Sequence, residues 1–296
     1  MTEEELHQRE LEHQQDLARL RGLRPIDDDF MRCLFRDNKE LAEFVLRILT
    51  GKKDLIVLEI ATQKDLKRLA GARSVCLDAY ATDAQGVKYD LEIQRAGSGA
   101  GAKRARYHAS SMDIENLDAG QDFEELPETY MIFITETDVI GKGNPFYRIE
   151  RVNLETDSLF NDGAHILYIN GESREDTELG RLMHDFSCWD PNEMHYSIMK
   201  AASSYYKDTP EGVEYMCQAF EETRREGYER GLQQGMQQGM QQGMQQGMQQ
   251  GMQQGMQQAI IASIRNLMET FHLNAAQAME ALKIPASEQS KYLTML

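Results

Sequence analysis

"SVCLDAYATDAQGVKYDLEIQ", residues 74–94, alternates apolar and polar side chains on both sides of an Asp-Ala-Gln-Gly break. Successive side chains of a strand point to opposite faces, and Asp and Gly tolerate the dihedrals of a tight turn. The stretch therefore predicts two strands, 74–82 and 87–94, paired through a hairpin turn at Asp83–Gly86. In the first strand Leu77, Ala79 and Ala81 are expected to face the core, leaving Cys76, Asp78 and Tyr80 opposite. In the second, Tyr89, Leu91 and Ile93 oppose Asp90, Glu92 and Gln94. Pairing through this turn brings Asp78 and Glu92 to one face. Two convergent carboxylates make a hard oxygen site suited to Mg²⁺ or Mn²⁺, although alternating polar residues on a strand also mark a solvated face.

Outward from this hairpin, "LIVLEI" (55–60) is a further strand. Before it, Asp27, Asp28 and Asp29 suit the positive end of a helix, and Phe30, Leu34, Leu41, Phe44, Val45, Ile48 and Leu49 recur at helical spacing up to Gly51. One amphipathic helix is expected there. After the hairpin, residues 103–117 read as a helix and "TYMIFIT" (129–135) as a buried strand. "FYRIERVN" (146–153) and "HILYIN" (165–170) add two more strands. The order is helix, three strands, helix, strand, which argues a mixed α/β domain. Residues 1–22 are charged throughout and read as a solvated helix or a frayed extension. Residues 191–226 read as helical, and 259–296 as a small helical hairpin.

Between these two helical segments lies a repeat, residues 227–258, with glycine at every fourth position filled largely by Met-Gln-Gln. Each helical Gly costs about 1 kcal/mol relative to Ala, so eight cost roughly 8. A period of four also advances about 40° per unit around a helix, so no straight apolar face forms. The repeat reads as a spacer of weak helicity, or else as a self-association rod that would make the chain a homo-oligomer.

Net charge is −17, which argues against a protein that coats nucleic acid or anionic membranes over its whole surface. The positive charge present is placed unevenly. Arg95, Lys103, Arg104 and Arg106 follow Glu92 with no acid between Ile93 and Met112, and Lys64, Lys67, Arg68 and Arg73 precede the hairpin with one intervening acid, Asp65. Such islands suit a phosphate backbone delivered to a metal between Asp78 and Glu92. Gly97, Gly99 and Gly101 allow close backbone approach to phosphate, or serve as a flexible connector. Cys33, Cys76, Cys188 and Cys217 form no metal-spaced pair. With no secretory core and no apolar run of spanning length, a cytoplasmic protein with no membrane partner is expected. His108, His165, His184 and His195 show no metal or nucleophile spacing and are expected to pack or face solvent, while Trp189 is expected in the core or at a domain contact.

The stretch "RSVCLDAYATDAQGVKYDLEIQRAGSGAGAKRARYHAS" closely resembles the PD-(D/E)XK nuclease-like transposases of the recombination-promoting nuclease (Rpn) group. "IDDDFMRCLF", "LPETYMIFITETDVIGKGNPFY" and "DGAHILYINGE" support the resemblance, which spans residues 23–190. It implies a restriction-endonuclease-like core, α/β, with a helical C-terminal region and repeat tail. It also implies metal-dependent cleavage of DNA phosphodiesters, linked to recombination or mobile elements. By position Asp78 and Glu92, with the Ile93 backbone carbonyl, are the metal ligands, and Gln94 stands where the motif usually carries lysine. A neutral amide hydrogen-bonds but supplies no charge, so Arg104 or Arg106 is a candidate for the missing cation. Arg95, Lys103, Arg104, Arg106, Lys67, Arg68 and Arg73 are the expected DNA contacts. An acid at the first helix, Asp29, either adds a ligand or caps the helix. Three readings stay open: a Mg²⁺- or Mn²⁺-dependent endonuclease, a catalytically weak DNA-binding or oligomeric module that keeps the fold, and, behind these, a DNA strand-transfer transposase. For the last, the sequence offers no separate DNA-recognition domain and no third catalytic acid of clear placement.

Overall fold

The computed structural model describes residues 3–66, 75–95 and 99–296, with the side chains of 3–5 left out. Helix α1 (Glu3–Gly22) is followed by α2 (Asp28–Phe35) and α3 (Lys39–Thr50). The single helix expected over residues 28–50 is therefore two. Asp37 turns the chain with φ of 54°, and the Asn38 side chain then caps α3 by accepting from the Leu41 N–H at 3.1 Å. The hydrophobic period carries on across the break, which is why spacing alone does not reveal it. The N-terminal segment is a helix whose last turn reaches the core through Leu20, 2% exposed.

Strands β1 (Val57–Asp65), β2 (Cys76–Asp83) and β3 (Lys88–Gln94) lead into α4 (Ala102–Asn116) and β4 (Thr129–Thr135). β5 (Phe146–Ile149), a small β6 (Val152–Asn153) and β7 (Ser158–Leu159) hairpin, and β8 (Ala164–Asn170) follow. The run 146–153, expected as one strand, is thus split at Glu150–Arg151. Six of the described strands form a mixed sheet in the order β1-β2-β3-β4-β8-β5, apart from the β6–β7 pair. β1, β2 and β3 are antiparallel, β3, β4 and β8 parallel, and β5 returns antiparallel at the edge. The β2–β3 turn forms where the sequence puts it. Gly86 takes φ of 85°, and Asp83 Oδ1 accepts from the Gln85 and Val87 N–H groups, each at 2.9 Å.

One face of the sheet carries Ala79, Ala81, Tyr89, Leu91, Ile93, Ile132, Ile134, Leu167 and Ile169. It packs against α2, α3, α5 (Glu178–Ser187), α6 (Ser197–Asp208) and the start of α7 (Pro210–Phe271). The other face is covered by α4, whose Ala105 and Ala109 meet Met131, Phe133 and Tyr168. Leu77 departs from its expected face: it packs with Tyr80, Leu66, Val75 and Met112 rather than with Ala79 and Ala81. The β2–β3 ladder runs only from Ala79–Leu91 to Thr82–Lys88, and Gln63 on the neighbouring strand takes φ of 54°. Strict alternation lapses at that point.

The chain divides into two compact units, Met1–Glu222 and Thr223–Leu296. The first contains Met194, Met199, Met216 and Phe220 in the same core as the sheet. The second contains the repeat, which is helical throughout as part of α7. It ends in α8 (Ala275–Ala281) and α9 (Ala286–Leu293), gathered with Ile264 around Ala278, Met279 and Tyr292. A Cβ added at any repeat glycine would meet nothing within 4 Å. No helix among the described residues is long and apolar enough to cross a membrane.

Candidate active site

β3 is central in the sheet and buried on both faces. Its alternation sends Tyr89, Leu91 and Ile93 into the main core and leaves Asp90, Glu92 and Gln94 for the face that α4 covers. Asp90 and Glu92 are both 0% exposed. Carboxylates are almost never buried without a partner, so their environment defines the site.

Asp78 and Glu92 meet where the β2–β3 ladder ends. The Asp78 N–H donates to Glu92 Oε1 at 3.1 Å, and the Ile93 N–H donates to Asp78 Oδ2 at 3.3 Å. The Ile93 side chain lies in the main core. From α4, Arg104 donates to Glu92 Oε2 at 3.1 Å and to His108 Nε2 at 3.2 Å. Because Nε2 accepts, the neutral His108 ring carries its proton on Nδ1. That atom stands 3.5 Å from Asp90 Oδ2 and 3.7 Å from Glu92 Oε1. Neither Asp90 oxygen accepts a hydrogen bond from the described residues. The ligand atoms of Asp90, Glu92 and His108 lie within 4.8 Å of one another.

The electrostatics follow from this crowding. Burial, then the charges of Asp90 and Asp78, push Glu92 up to about 8, against the opposing pull of His108. Burial, then the charge of Asp28, pushes Asp78 up to about 6, with Arg32 and Arg104 opposing. Asp90 is driven well above the ordinary carboxylate range by burial and by Asp78. All three acids thus hold protons more tightly than free carboxylates do, and a divalent cation would compete with those protons. The carboxylates of Asp78, Asp90 and Glu92, with two buried acceptor atoms still open on Asp90, make a hard oxygen set that fits an ion of the Mg²⁺ or Mn²⁺ class. The His108 ring, bonded at Nε2 and protonated at Nδ1, stands beside it.

Several expectations are corrected here. His108 belongs to the acidic cluster rather than to solvent or inert packing, and His184 and His195 come together with Asp185. His165 lies between Glu128 and Glu150, at 3.2 and 2.8 Å. Trp189 is 58% exposed. Asp29 is paired with Arg19, and it is Asp28, paired with Arg32, whose charge raises Asp78. Among the basic residues, Lys103 and Arg106 are exposed on α4. Arg95 engages Asp27 at 3.1 Å and Glu136 at 3.4 Å. Lys67, Arg68, Arg73 and Gly97 lie outside the described residues. The Gln94 side chain lies against Gly99, where an added Cβ would meet Gln94 Oε1 at 1.8 Å.

Asp90 and His108 were the residues that spacing did not single out. Their signals were present in the sequence: Asp90 shares the parity of Glu92, and His108 falls in the stripe Ala105, His108, Ala109, Met112, which is the buried side of α4.

No curated protein and no solved structure matches the chain. The family described as PD-(D/E)XK nuclease family transposase matches residues 32–189, more than half of the 296. That span runs from α2 through the sheet to the end of α5 and contains Asp78, Asp90, Glu92, Gln94, Arg104 and His108. On this match the chain belongs to the PD-(D/E)XK nuclease family transposases.

Proposed function

We propose that the protein is a metal-dependent DNA endonuclease that hydrolyses phosphodiester bonds, with Mg²⁺ or Mn²⁺ held by Asp78, Glu92 and the Ile93 carbonyl. The observation that carries this reading is the convergence of three acids, Asp78, Asp90 and Glu92, on one buried spot beside the cation of Arg104. A purely structural site would not be expected to keep two Asp90 oxygens buried and without hydrogen bonds. Bound there, the metal supplies Lewis acidity toward a phosphoryl oxygen and lowers the pKa of a water.

The remaining work falls to the chain. The hydrogen bonds between Asp78, Glu92 and the backbone fix both carboxylates before any ligand arrives, so little reorganisation is needed. Arg104 orients Glu92 and His108 and brings a cation to the spot where phosphate charge would build. It thereby takes over part of what a lysine at position 94 would supply, while the Gln94 amide is left to position water by hydrogen bonding. Lys103 and Arg106 attract the DNA backbone from the exposed side of α4, together with Lys67, Arg68 and Arg73. Arg95 contributes only by exchanging Asp27 and Glu136 for a phosphate. Recombination or a mobile element is the setting that the family description favours.

Supercoiled plasmid incubated with Mg²⁺ or Mn²⁺ tests the proposal, using the parent beside Asp78→Asn and Glu92→Gln. Nicking or linearisation by the parent alone is expected. Equal cleavage by all three would remove the site. DNA binding with no cleavage at any metal concentration would favour the interaction module instead, a reading that the neutral Gln94 supports.

A further inference from the structure

α5 ends in the sequence His184-Asp185-Phe186-Ser187, and residues 188–196 lead to the start of α6. Asp185 is 0% exposed. Its Oδ1 accepts from the His195 N–H and its Oδ2 from the Tyr196 N–H, both at 2.8 Å. The carboxylate thus meets the positive end of α6, which has no side-chain cap of its own. The same Oδ1 lies 3.2 Å from His184 Nδ1, and the His184 and His195 rings stand 4.5 Å apart, centroid to centroid, at 59°. One ligand atom from each of the three residues falls within 4.8 Å of the other two. The arrangement has no part in the acidic site and lies outside the chemistry just proposed.

We infer that His184, Asp185 and His195 form a second metal site, taking a borderline transition-metal ion of the Zn²⁺ class. The donor set distinguishes it from the acidic site. Two imidazoles and one carboxylate suit Zn²⁺, Co²⁺, Ni²⁺ or Cu²⁺, whereas an oxygen-dominated set suits Mg²⁺ or Mn²⁺. A carboxylate oxygen has two acceptor positions, so Asp185 Oδ2, which meets only the Tyr196 N–H, keeps one for a metal, and Oδ1 gains another when the His184 ring turns from it to the ion. The frame is also rigid. Phe186 and Met194, beside the ligands, are both in the main core, and the connecting turn is held by Asp190 accepting from the Asn192 N–H at 2.8 Å. Ligands held in place by a packed frame lose little entropy on binding metal. His195 is exposed and His184 half-buried, which gives the ion a way in and leaves a coordination position facing water. The metal would clamp the end of α5 to the start of α6, so Zn²⁺ would tune the stability of the first compact unit independently of cleavage.

Co²⁺ titration of the full chain tests this, because low-coordinate Co²⁺ bound through nitrogen absorbs strongly in the visible whereas six-coordinate Co²⁺ on oxygen ligands absorbs weakly. The expected result is one equivalent of visibly absorbing Co²⁺, displaced by Zn²⁺, lost in His195→Ala and His184→Ala and kept in Glu92→Gln. Zn²⁺ is also expected to raise the melting temperature of the parent and not of His195→Ala. Equal metal-free melting of parent and His195→Ala, an exposed position, controls for misfolding. No visible band, a band indifferent to both histidine substitutions, or a band lost only in Glu92→Gln would each overturn the proposal. Plasmid cleavage by His195→Ala separates this outcome from failure of the nuclease reading.

Discussion

Asp78 and Glu92 hold each other's strands at the point where the β2–β3 ladder stops, Glu92 taking the Asp78 N–H and Asp78 taking the Ile93 N–H. Amide replacements keep an oxygen for these N–H donors and remove the charge. Asp78→Asn and Glu92→Gln are therefore expected to fold, and to melt no lower than the parent without metal, because repulsion within the cluster falls. Plasmid cleavage should drop at least about a hundredfold, given the several kcal/mol that a positioned metal contributes. A large loss of melting temperature in both would show that the charges serve the fold rather than the reaction.

Stability without metal should fall as pH rises. Glu92 is raised from 4.5 to about 8 and Asp78 from 3.8 to about 6 in the folded chain. The native state therefore binds more protons than the unfolded state across this window. The stabilisation is complete below about pH 4 and declines as pH climbs through 6 toward 8. Thermal melts in chelator across that range check the sign, and Mg²⁺ should flatten the slope by replacing protons at the same acids. A melting temperature that rises from pH 5 to 8 in chelator would contradict the mutual repulsion described here.

Arg104→Gln separates binding from chemistry. Removing the cation next to Glu92 Oε2 deepens the negative potential, so Mn²⁺ should bind more tightly by calorimetry. Cleavage at saturating metal should nevertheless fall about tenfold or more, since the same cation is assigned to the transition state. Parallel losses in both quantities would mean that Arg104 only holds the pocket together.

Gly99→Ala should act through Gln94. Its new Cβ would meet Gln94 Oε1 at 1.8 Å, so the amide must swing away. Cleavage is expected to fall about tenfold with metal affinity kept, and the double variant Gly99→Ala, Gln94→Ala should be no worse than Gln94→Ala alone. Additive losses would show that the glycine serves something other than this side chain.

In the repeat, Gly239→Ala and Gly247→Ala should each raise helix stability by about 1 kcal/mol, as open space surrounds both positions. Far-UV circular dichroism against temperature reads this directly. Unchanged or reduced helicity would point to close packing at these glycines in an assembled form of the protein.

The hairpin, the helix that follows it and the fully buried β4 were legible because alternation and turn chemistry are local. Asp78 and Glu92 meet just beyond the paired part of that hairpin, through side chain–backbone bonds rather than through the ladder itself. What escaped depends on features that alternation does not encode. Asp90 has the right parity, yet its burial follows from the covering helix α4 and not from its neighbours in sequence. His184 and His195 are brought together by a turn whose path is set by Asp185 capturing two backbone donors. The break between α2 and α3 hides beneath an uninterrupted apolar period, and Leu77 changes face because side chains replace the ladder beside it.

Six Gly-Met-Gln-Gln units run from Gly235 to Gln258 in unbroken helix. Each spans four codons, so gaining or losing one by replication slippage preserves the reading frame and the helix. It would shift α8 and α9 along the repeat axis by about 6 Å and turn them by about 40° relative to the start of the repeat. Nine such changes return the original bearing. The repeat is therefore a ruler with rotary settings, read in steps of one unit.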